Sequence, residues 1–219
     1  MASPTVEPFF GVLVRRSKYS CRADGTNYAY AYFRAHFQTE IAEDCLFRCV
    51  YCDSHENEIG GRESMELDHF RPWSRSEFEC LKDDPRNLNH ACGHCNRLKS
   101  NKWPSADPNR SHDGLVGFID PFQEPRQIYF EVGADGELIA LRPPAEYLIR
   151  ILTLNRPLLK LLRRRRIYEG VLNTYEAANL VRWEAAASGA GIASVVEIAR
   201  EFAEYRRLRR LTTLPQIIS

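Results

Sequence analysis

The apolar residues in the last third of the chain recur at three- and four-residue intervals. Residues on this spacing share one face of a helix, and the segment Asn155-Arg156-Pro157 predicts its start, with Asn155 as N-cap and Pro157 in the first turn. We expect the helix to run toward residue 187 with one buried stripe, made of Leu158, Leu161, Leu162, Tyr168, Val171, Leu172 and Tyr175. A glycine-containing break at residues 188–191 precedes a last helix over residues 192–211.

The rest of the chain carries shorter patterns. Aromatic residues among small and charged ones predict a helix over residues 28–41. Residues 127–141 have β-rich arms around a glycine-containing turn and predict a β-hairpin, which a short amphipathic helix follows over residues 145–154. Residues 45–104 lack long apolar runs and are dense in Cys, His, Asn, Asp and Arg. Such a segment cannot build a large core alone and needs a metal ion to hold it together.

Composition places the chain among ordinary globular proteins. Of its 219 residues, 44% are hydrophobic and 27% are charged, which is enough for an apolar core and excludes long disorder. No apolar run approaches the roughly 20 residues of a membrane-spanning helix. The first residues lack the basic and apolar regions of a secretory signal. We therefore expect a cytoplasmic protein without a membrane partner.

Charge is balanced over the whole chain but uneven along it. Lys and Arg number 30 against 29 Asp and Glu, so the net charge indicates no particular partner. Residues 142–166 hold eight basic residues and one acidic residue. Within them, Arg163, Arg164, Arg165 and Arg166 are consecutive, so at about 100° per residue they cannot share one helix face. Either a solvated helix or a contact to a duplex backbone fits this run.

Four of the seven cysteines form two C-x2-C pairs, Cys49 with Cys52 and Cys92 with Cys95. The 39 residues between the pairs form a longer gap than in common zinc fingers. Two such pairs give a closed tetrahedral site of four thiolates, which is the arrangement of structural zinc. The alternatives are that one pair is accidental or redox-active, or that His90 or His94 replaces a thiolate. Cys21, Cys45 and Cys80 are expected to be ordinary thiols.

Three further motifs lie between or beside the cysteine pairs. They are Asp68-His69-Phe70-Arg71-Pro72, then Asn87-Leu88, then Cys95-Asn96-Arg97-Leu98-Lys99. In this order and with these cysteines the segment resembles the HNH endonuclease family, over about residues 49–102. The resemblance implies an α+β protein with a small ββα-metal, treble-clef-like core held by zinc, with helices before and after it.

The resemblance also implies roles for individual residues. His69 stands at the position of the general base, while Asp68 and Asn96 stand at metal-ligand positions. Asn87 stands where the family braces the loop and orients the base. Independently, a neutral imidazole suits a base near pH 7, and oxygen ligands favour Mg²⁺ or Mn²⁺. Because neighbours on a strand point to opposite faces, Asp68 and His69 can share a site only if the strand twists or ends there.

Residues that could contact substrate surround these motifs. Arg71 and Arg97 fit either phosphate contacts or a solvated surface, and Lys99 fits either a phosphate contact or a cover for the helix. Trp73 and Trp103 are expected to cover the core, in preference to stacking on bases.

We expect four segments: a helical extension (1–44), the HNH core (45–106), a loop with a hairpin (107–144) and a helical region (145–219). The expected function is metal-dependent hydrolysis of phosphodiester bonds in DNA, most readily double-stranded DNA. Small HNH proteins with helical arms also resemble nucleases of bacterial antiphage systems, which work beside an ATPase or another protein partner. The alternative function is a non-catalytic, zinc-stabilised module that binds nucleic acid or protein.

Overall fold

The computed structural model describes residues 8–35, 39–188 and 192–212. The chain divides into two compact units. Of the described residues, those of 9–133 and 137–160 form the larger unit, and Pro8, residues 134–136 and those from Leu161 onward form the smaller one. The boundaries of the four segments expected from the sequence remain a prediction.

Ten regular elements follow one another along the described chain. They are α1 (Tyr30–Ala35), α2 (Thr39–Asp44), β1 (Met65–His69), β2 (Leu88–Cys92), α3 (Gly93–Lys99), β3 (Phe130–Val132), β4 (Leu138–Ala140), α4 (Ala145–Ile151), α5 (Pro157–Ala187) and α6 (Ile192–Thr212). Short 3₁₀ helices occupy Glu56–Glu58, Arg62–Ser64, Ser76–Leu81, Pro85–Asn87 and Arg126–Ile128.

An antiparallel hairpin and the helix that follows it form the centre of the larger unit. Strands β1 and β2 pair from Met65 opposite Cys92 to His69 opposite Leu88, and α3 begins directly after β2. All five residues of β2 are buried, because β1, α2 and α3 pack around this strand. The expected α+β class with a ββα core is confirmed.

The elements around this centre agree with the sequence patterns in part. The predicted hairpin is present as β3 and β4, with Gly136 at φ 83° in its turn, a backbone region that glycine adopts without strain. The helix expected over residues 28–41 is replaced by α1 and α2, and residues 36–38 lie outside the described residues. The helix expected over 145–154 is α4, which ends at Ile151.

The start of α5 carries a contact that local sequence does not indicate. The helix begins at Pro157, and Asn155, the predicted N-cap, forms two hydrogen bonds to the main chain of Leu138, of 2.7 and 2.9 Å. The Asn155 side chain therefore pairs with β4 over a separation of 17 residues.

The smaller unit is a pair of helices, α6 and the part of α5 from Leu161 onward. Its core consists of Leu172, Trp183 and Tyr205, with Ile198 packed against them. The predicted stripe is largely wrong: Leu162 and Leu172 are buried, whereas Leu158, Leu161, Tyr168, Val171 and Tyr175 are exposed. One neighbouring helix covers only the positions that face it, so apolar spacing alone overestimates burial. Among the described residues, no helix has the length and apolar character that crossing a membrane requires.

Candidate functional site

The two cysteine pairs come together as one buried cluster. Cys49 lies in a tight turn in which Asp53 donates its N–H to the Cys49 carbonyl at 2.9 Å, with Asp53 at φ 63°. Cys92 ends β2 and caps α3, and its Sγ accepts the N–H of Cys95 at 3.4 Å. The four sulfur atoms of Cys49, Cys52, Cys92 and Cys95 lie within 4.8 Å of one another.

This cluster fits a zinc ion. Zn–S bonds of about 2.3 Å in a tetrahedron place sulfur atoms roughly 3.8 Å apart, and the Cys52 and Cys92 sulfurs are 4.0 Å apart. Neither alternative histidine belongs to the cluster: the ring of His90 faces Glu56 at 3.2 Å and that of His94 faces Thr153 at 3.1 Å. Four thiolates and no open position suit an ion that stabilises the fold.

Arg156 offers the cluster a positive charge from outside. Its Nη2 lies 3.9 Å from the Sγ of Cys92. Burial acts to lower the pKa of Arg156, but the charges of Cys95, Cys52 and Cys92 outweigh it and raise the pKa. A divalent ion with four thiolates keeps a net charge of about −2, so a guanidinium beside it offsets part of this charge.

Three of the predicted site residues line one cavity beside the cluster. Asp68, His69 and Asn96 are among the residues around a space of about 300 Å³. Asp68 and His69 are the last two residues of β1. Because the regular strand ends there, the two side chains need not point to opposite faces. The wall also includes Leu67, Pro72, Trp73, Ser74, Ser100 and Asn101. The cavity thus gathers a carboxylate, an imidazole and an amide from two elements.

The ring of His69 is fixed in one orientation. Its Nε2 lies 2.8 Å from the carbonyl oxygen of Lys82, and because a carbonyl only accepts hydrogen bonds, Nε2 must carry the proton. The Tyr30 ring packs against the imidazole at 4.8 Å between centroids. Burial lowers the pKa of His69, although the Lys82 carbonyl and the Asp68 charge act to raise it. A neutral ring with Nε2 protonated leaves Nδ1 as an acceptor.

Asp68 is buried and already has two protein partners. Its Oδ1 accepts a hydrogen bond from the Lys99 ammonium at 2.8 Å, and its Oδ2 accepts one from the Tyr51 hydroxyl at 2.5 Å. Burial, followed by the Asp68 charge, raises the pKa of Tyr51, so the hydroxyl stays a donor. A carboxylate has about four lone-pair positions. Asp68 therefore keeps acceptor capacity for a cation after these two bonds.

Lys99 is fully buried, with a relative exposure of 0%. Besides Asp68, its ammonium donates to the His69 carbonyl at 2.7 Å. This lysine thus ties the end of α3 to the last two residues of β1, and in this arrangement its charge faces Asp68 and not the cavity surface.

Replacing Lys99 by methionine is expected to lower the free energy of unfolding by about 3–5 kcal/mol, because the change leaves the Asp68 carboxylate buried without its charged partner. Denaturant unfolding measures the difference. Lys102→Met is the matched control, since the Lys102 ammonium is exposed and bonds only a local carbonyl, that of Leu98; its expected effect is within about 0.5 kcal/mol. Equal midpoints for the two variants would show that the buried ion pair is dispensable.

Asn96 faces the cavity from α3. Its amide nitrogen donates to Glu66 Oε2 at 2.7 Å, so the amide oxygen is the atom that could bind a cation. Together with Asp68 this gives two oxygen donors and no sulfur, which is the donor chemistry of Mg²⁺ and Mn²⁺. The pair fits a hard divalent cation, and the cysteine cluster fits zinc.

Asn87 lies behind the cavity and braces the chain after β1. Its Oδ1 accepts the Arg71 N–H at 2.9 Å, and its amide nitrogen donates to the carbonyls of Arg71 at 2.9 Å and Leu81 at 3.3 Å. Through Leu81 these bonds reach the segment that presents the Lys82 carbonyl to His69. The buried amide therefore holds both sides of the loop next to His69.

The predicted phosphate contacts are not gathered at the cavity. Arg71 lines a different cavity, with Asn109, His112 and Glu124 among its neighbours. The Arg97 side chain is 71% exposed, with Glu66 at 3.8 Å. In the basic run of α5, Arg163 is buried and bonds the Gly136 carbonyl at 2.7 Å, while Arg165 pairs with Glu169 at 2.8 Å. Most of these guanidiniums have partners within the chain.

Several neighbours of the site are not indicated by the sequence motifs. Tyr51 lies inside the first C-x2-C pair, where a residue between ligands is a candidate for the adjoining wall. Lys82 orients His69 through its main-chain carbonyl, so the residue type gives no indication of this contact. Tyr30 reaches His69 from α1, 39 positions earlier in the chain, and only the tertiary fold brings these two together.

Comparison with known protein families supports the same assignment. The family model described as HNH endonuclease matches residues 49–102, the segment that holds both cysteine pairs, β1, β2 and α3. Comparisons with curated proteins and with solved structures gave no significant match. The chain therefore contains an HNH endonuclease domain at residues 49–102, of a family of phosphodiester hydrolases, built around a buried four-cysteine cluster.

Proposed function

We propose that the protein is a metal-dependent endonuclease that hydrolyses phosphodiester bonds in DNA, with double-stranded DNA as the leading substrate. The observation that carries the proposal is the meeting of Asp68, His69 and Asn96 around one cavity inside the HNH domain. A binding module has no use for a neutral, oriented imidazole beside two oxygen ligands. A hydrolase needs all three groups.

In the proposed mechanism, His69 is the general base. Its Nδ1 accepts a proton from a water molecule in the cavity, while the Lys82 carbonyl holds the protonated Nε2 and so keeps the ring in place. Asp68 and Asn96 would hold Mg²⁺ or Mn²⁺. When bound, such an ion neutralises charge on the phosphate and on the leaving oxygen. Lys99 and Tyr51 fix the Asp68 carboxylate, and Asn87 braces the loop around the base.

The substrate contacts are the next part of the proposal. Arg97 is exposed beside the cavity residue Asn96, so its guanidinium is free to turn from Glu66 toward a phosphate. The Arg71 guanidinium lines a different cavity and donates to the Asn109 carbonyl, and the buried Lys99 ammonium donates to Asp68. We propose that Arg97 contacts the DNA backbone directly, while Arg71 and Lys99 act by supporting the loop and the metal ligand.

A plasmid-nicking assay tests the function. With Mg²⁺ or Mn²⁺ the wild-type protein is expected to convert supercoiled DNA to nicked or linear forms, and Asn96→Ala is expected to require much higher metal concentrations because an oxygen ligand is lost. Asn109→Ala is the matched control, since Asn109 lines a different cavity. Cleavage by Asn96→Ala with an unchanged metal requirement would remove Asn96 from the ligand set.

One observation favours the alternative, a zinc-stabilised module that binds without cutting. The Lys99 ammonium already neutralises Asp68, as a domain without a catalytic metal would require. DNA binding without cleavage under any divalent metal would support this alternative. The further expectation of antiphage defence beside an ATPase or another partner stays a prediction, because no described residue identifies such a partner.

A further inference from the structure

Trp73, inside the HNH domain, and Trp103, directly after it, lie in different environments. Trp103 is buried, with the rings of Phe70 and Phe78 edge-on at 5.4 and 5.2 Å, as expected for a core residue. Trp73 is 40% exposed and lines the cavity of Asp68 and His69. The expectation that Trp73 covers the core is wrong. Large aromatic residues are mostly buried, so an indole exposed at this place needs another explanation.

The indole of Trp73 contacts two residues of the proposed active site, His69 and Lys82. Its ring meets the His69 imidazole edge-on at 6.2 Å. The Lys82 ammonium lies 4.5 Å from the ring centroid, and the carbonyl of the same lysine orients His69. Lys82 therefore both orients His69, the proposed general base, and places a positive charge against the indole of Trp73. The ammonium lies over one face of the indole, and together the two groups match the two parts of a nucleotide, with a flat ring for the base and a positive charge for the phosphate.

We propose that Trp73 and Lys82 form a subsite that stacks an unpaired nucleobase next to the phosphate held in the cavity. In a duplex the faces of the bases are covered by their neighbours, and only their edges reach the grooves. A ring at the rim of a cavity can therefore stack only on a base that has left the helix or was never paired. The substrates that this subsite selects are single-stranded DNA or DNA with unpaired nucleotides at the cutting point. This inference rests on the proposed nuclease function and narrows its substrate to DNA that is unpaired at the cutting point, which includes locally opened positions within a duplex.

The physical basis of the selection is stacking energy. Base-to-aromatic stacking contributes enough affinity that losing the ring weakens single-strand binding by about tenfold, with little dependence on sequence. A contact to phosphate alone contributes to the binding of both single strands and duplexes, because both have a charged backbone, so its loss is not confined to single strands. The ratio of the two affinities therefore separates stacking from general electrostatic attraction.

Equilibrium binding by fluorescence anisotropy, in buffer without added divalent metal, tests the proposal with the full-length chain. The probes are a labelled single-stranded oligonucleotide, the duplex of the same sequence, and a single strand with abasic positions. Trp73→Leu removes the flat ring but keeps an apolar side chain, and Trp73→Phe keeps a smaller ring. Tyr168→Ala is the matched control, because Tyr168 is an exposed aromatic residue outside the HNH domain.

We expect Trp73→Leu to lose about tenfold in affinity for the single strand, Trp73→Phe to lose less, and the duplex to be nearly unaffected. The abasic strand should bind wild type and Trp73→Leu equally, since the stacking partner is then missing from the nucleic acid. Equal losses on single strand and duplex, or no loss on either, would overturn the subsite. A wild-type protein that binds in this Trp73-dependent way but never cuts leaves the subsite standing and refutes the nuclease function. A wild-type protein that cuts DNA, but whose single-strand binding does not depend on Trp73, would support the nuclease function and refute the subsite.

Discussion

Replacing His69 by alanine is expected to lower the rate of DNA cleavage by about 10²–10⁴-fold, the usual contribution of a positioned general base. The fold should persist, because the His69 side chain contributes one hydrogen bond, to the Lys82 carbonyl, and lies beside a cavity. Single-turnover cleavage of plasmid DNA in Mg²⁺ or Mn²⁺ measures the rate, and zinc content with thermal unfolding shows that the domain is intact.

His94→Ala is the control for this variant. His94 belongs to the same domain, but its ring is exposed and bonds the Thr153 hydroxyl, so cleavage should remain at the wild-type rate. If His69→Ala cut DNA as fast as His94→Ala, the base would be another group, and the oriented imidazole would have only a structural role.

Replacing Cys95 by alanine is expected to unfold the HNH domain. The thiol is fully buried within the four-cysteine cluster, and structural zinc contributes about 10–16 kcal/mol of binding free energy in small zinc domains. Loss of one ligand removes a large part of that energy, which is comparable to the entire stability of about 5–15 kcal/mol of a typical domain. Zinc content by mass spectrometry and far-UV circular dichroism report the two effects together.

Cys80→Ala is the matched control, because Cys80 is exposed and lies outside the cluster. It should keep one zinc ion and an unchanged unfolding midpoint. A strong chelator should reproduce the effect of Cys95→Ala in the wild-type protein and in Cys80→Ala. A Cys95→Ala protein that folds with wild-type stability would mean that the cluster is not the element that stabilises residues 49–102.

Local sequence was informative where the chemistry lies within a few residues. The spacing of Cys49 and Cys52 fixes a turn that brings two sulfurs together, and the spacing of Cys92 and Cys95 does the same at the first turn of α3. The hairpin of β3 and β4 follows equally from β-rich segments on both sides of a glycine-containing turn. These features depend on backbone geometry over a few positions, which a sequence pattern records directly.

Long-range contacts decided the features that the sequence left open or predicted wrongly. The amide of Asn155 pairs with Leu138 in β4, which no local pattern indicates, and Tyr168 is exposed although its spacing predicts burial. Likewise, nothing local separates Trp73 from Trp103, yet one lies at the cavity and the other in the core. Burial depends on which elements meet, and that information is not present in any single segment.

By itself, the sequence determined the ligands of the four-cysteine cluster, the order of the motifs, the α+β class and the family of the central domain. Only the tertiary structure decided that β1 ends at the point where Asp68 and His69 share a cavity, that Lys99 and Tyr51 occupy the Asp68 carboxylate, and that the Lys82 carbonyl selects the tautomer of His69. The reason is that residue types set which bonds are possible, whereas the choice among them requires atoms from distant segments to reach hydrogen-bonding distance.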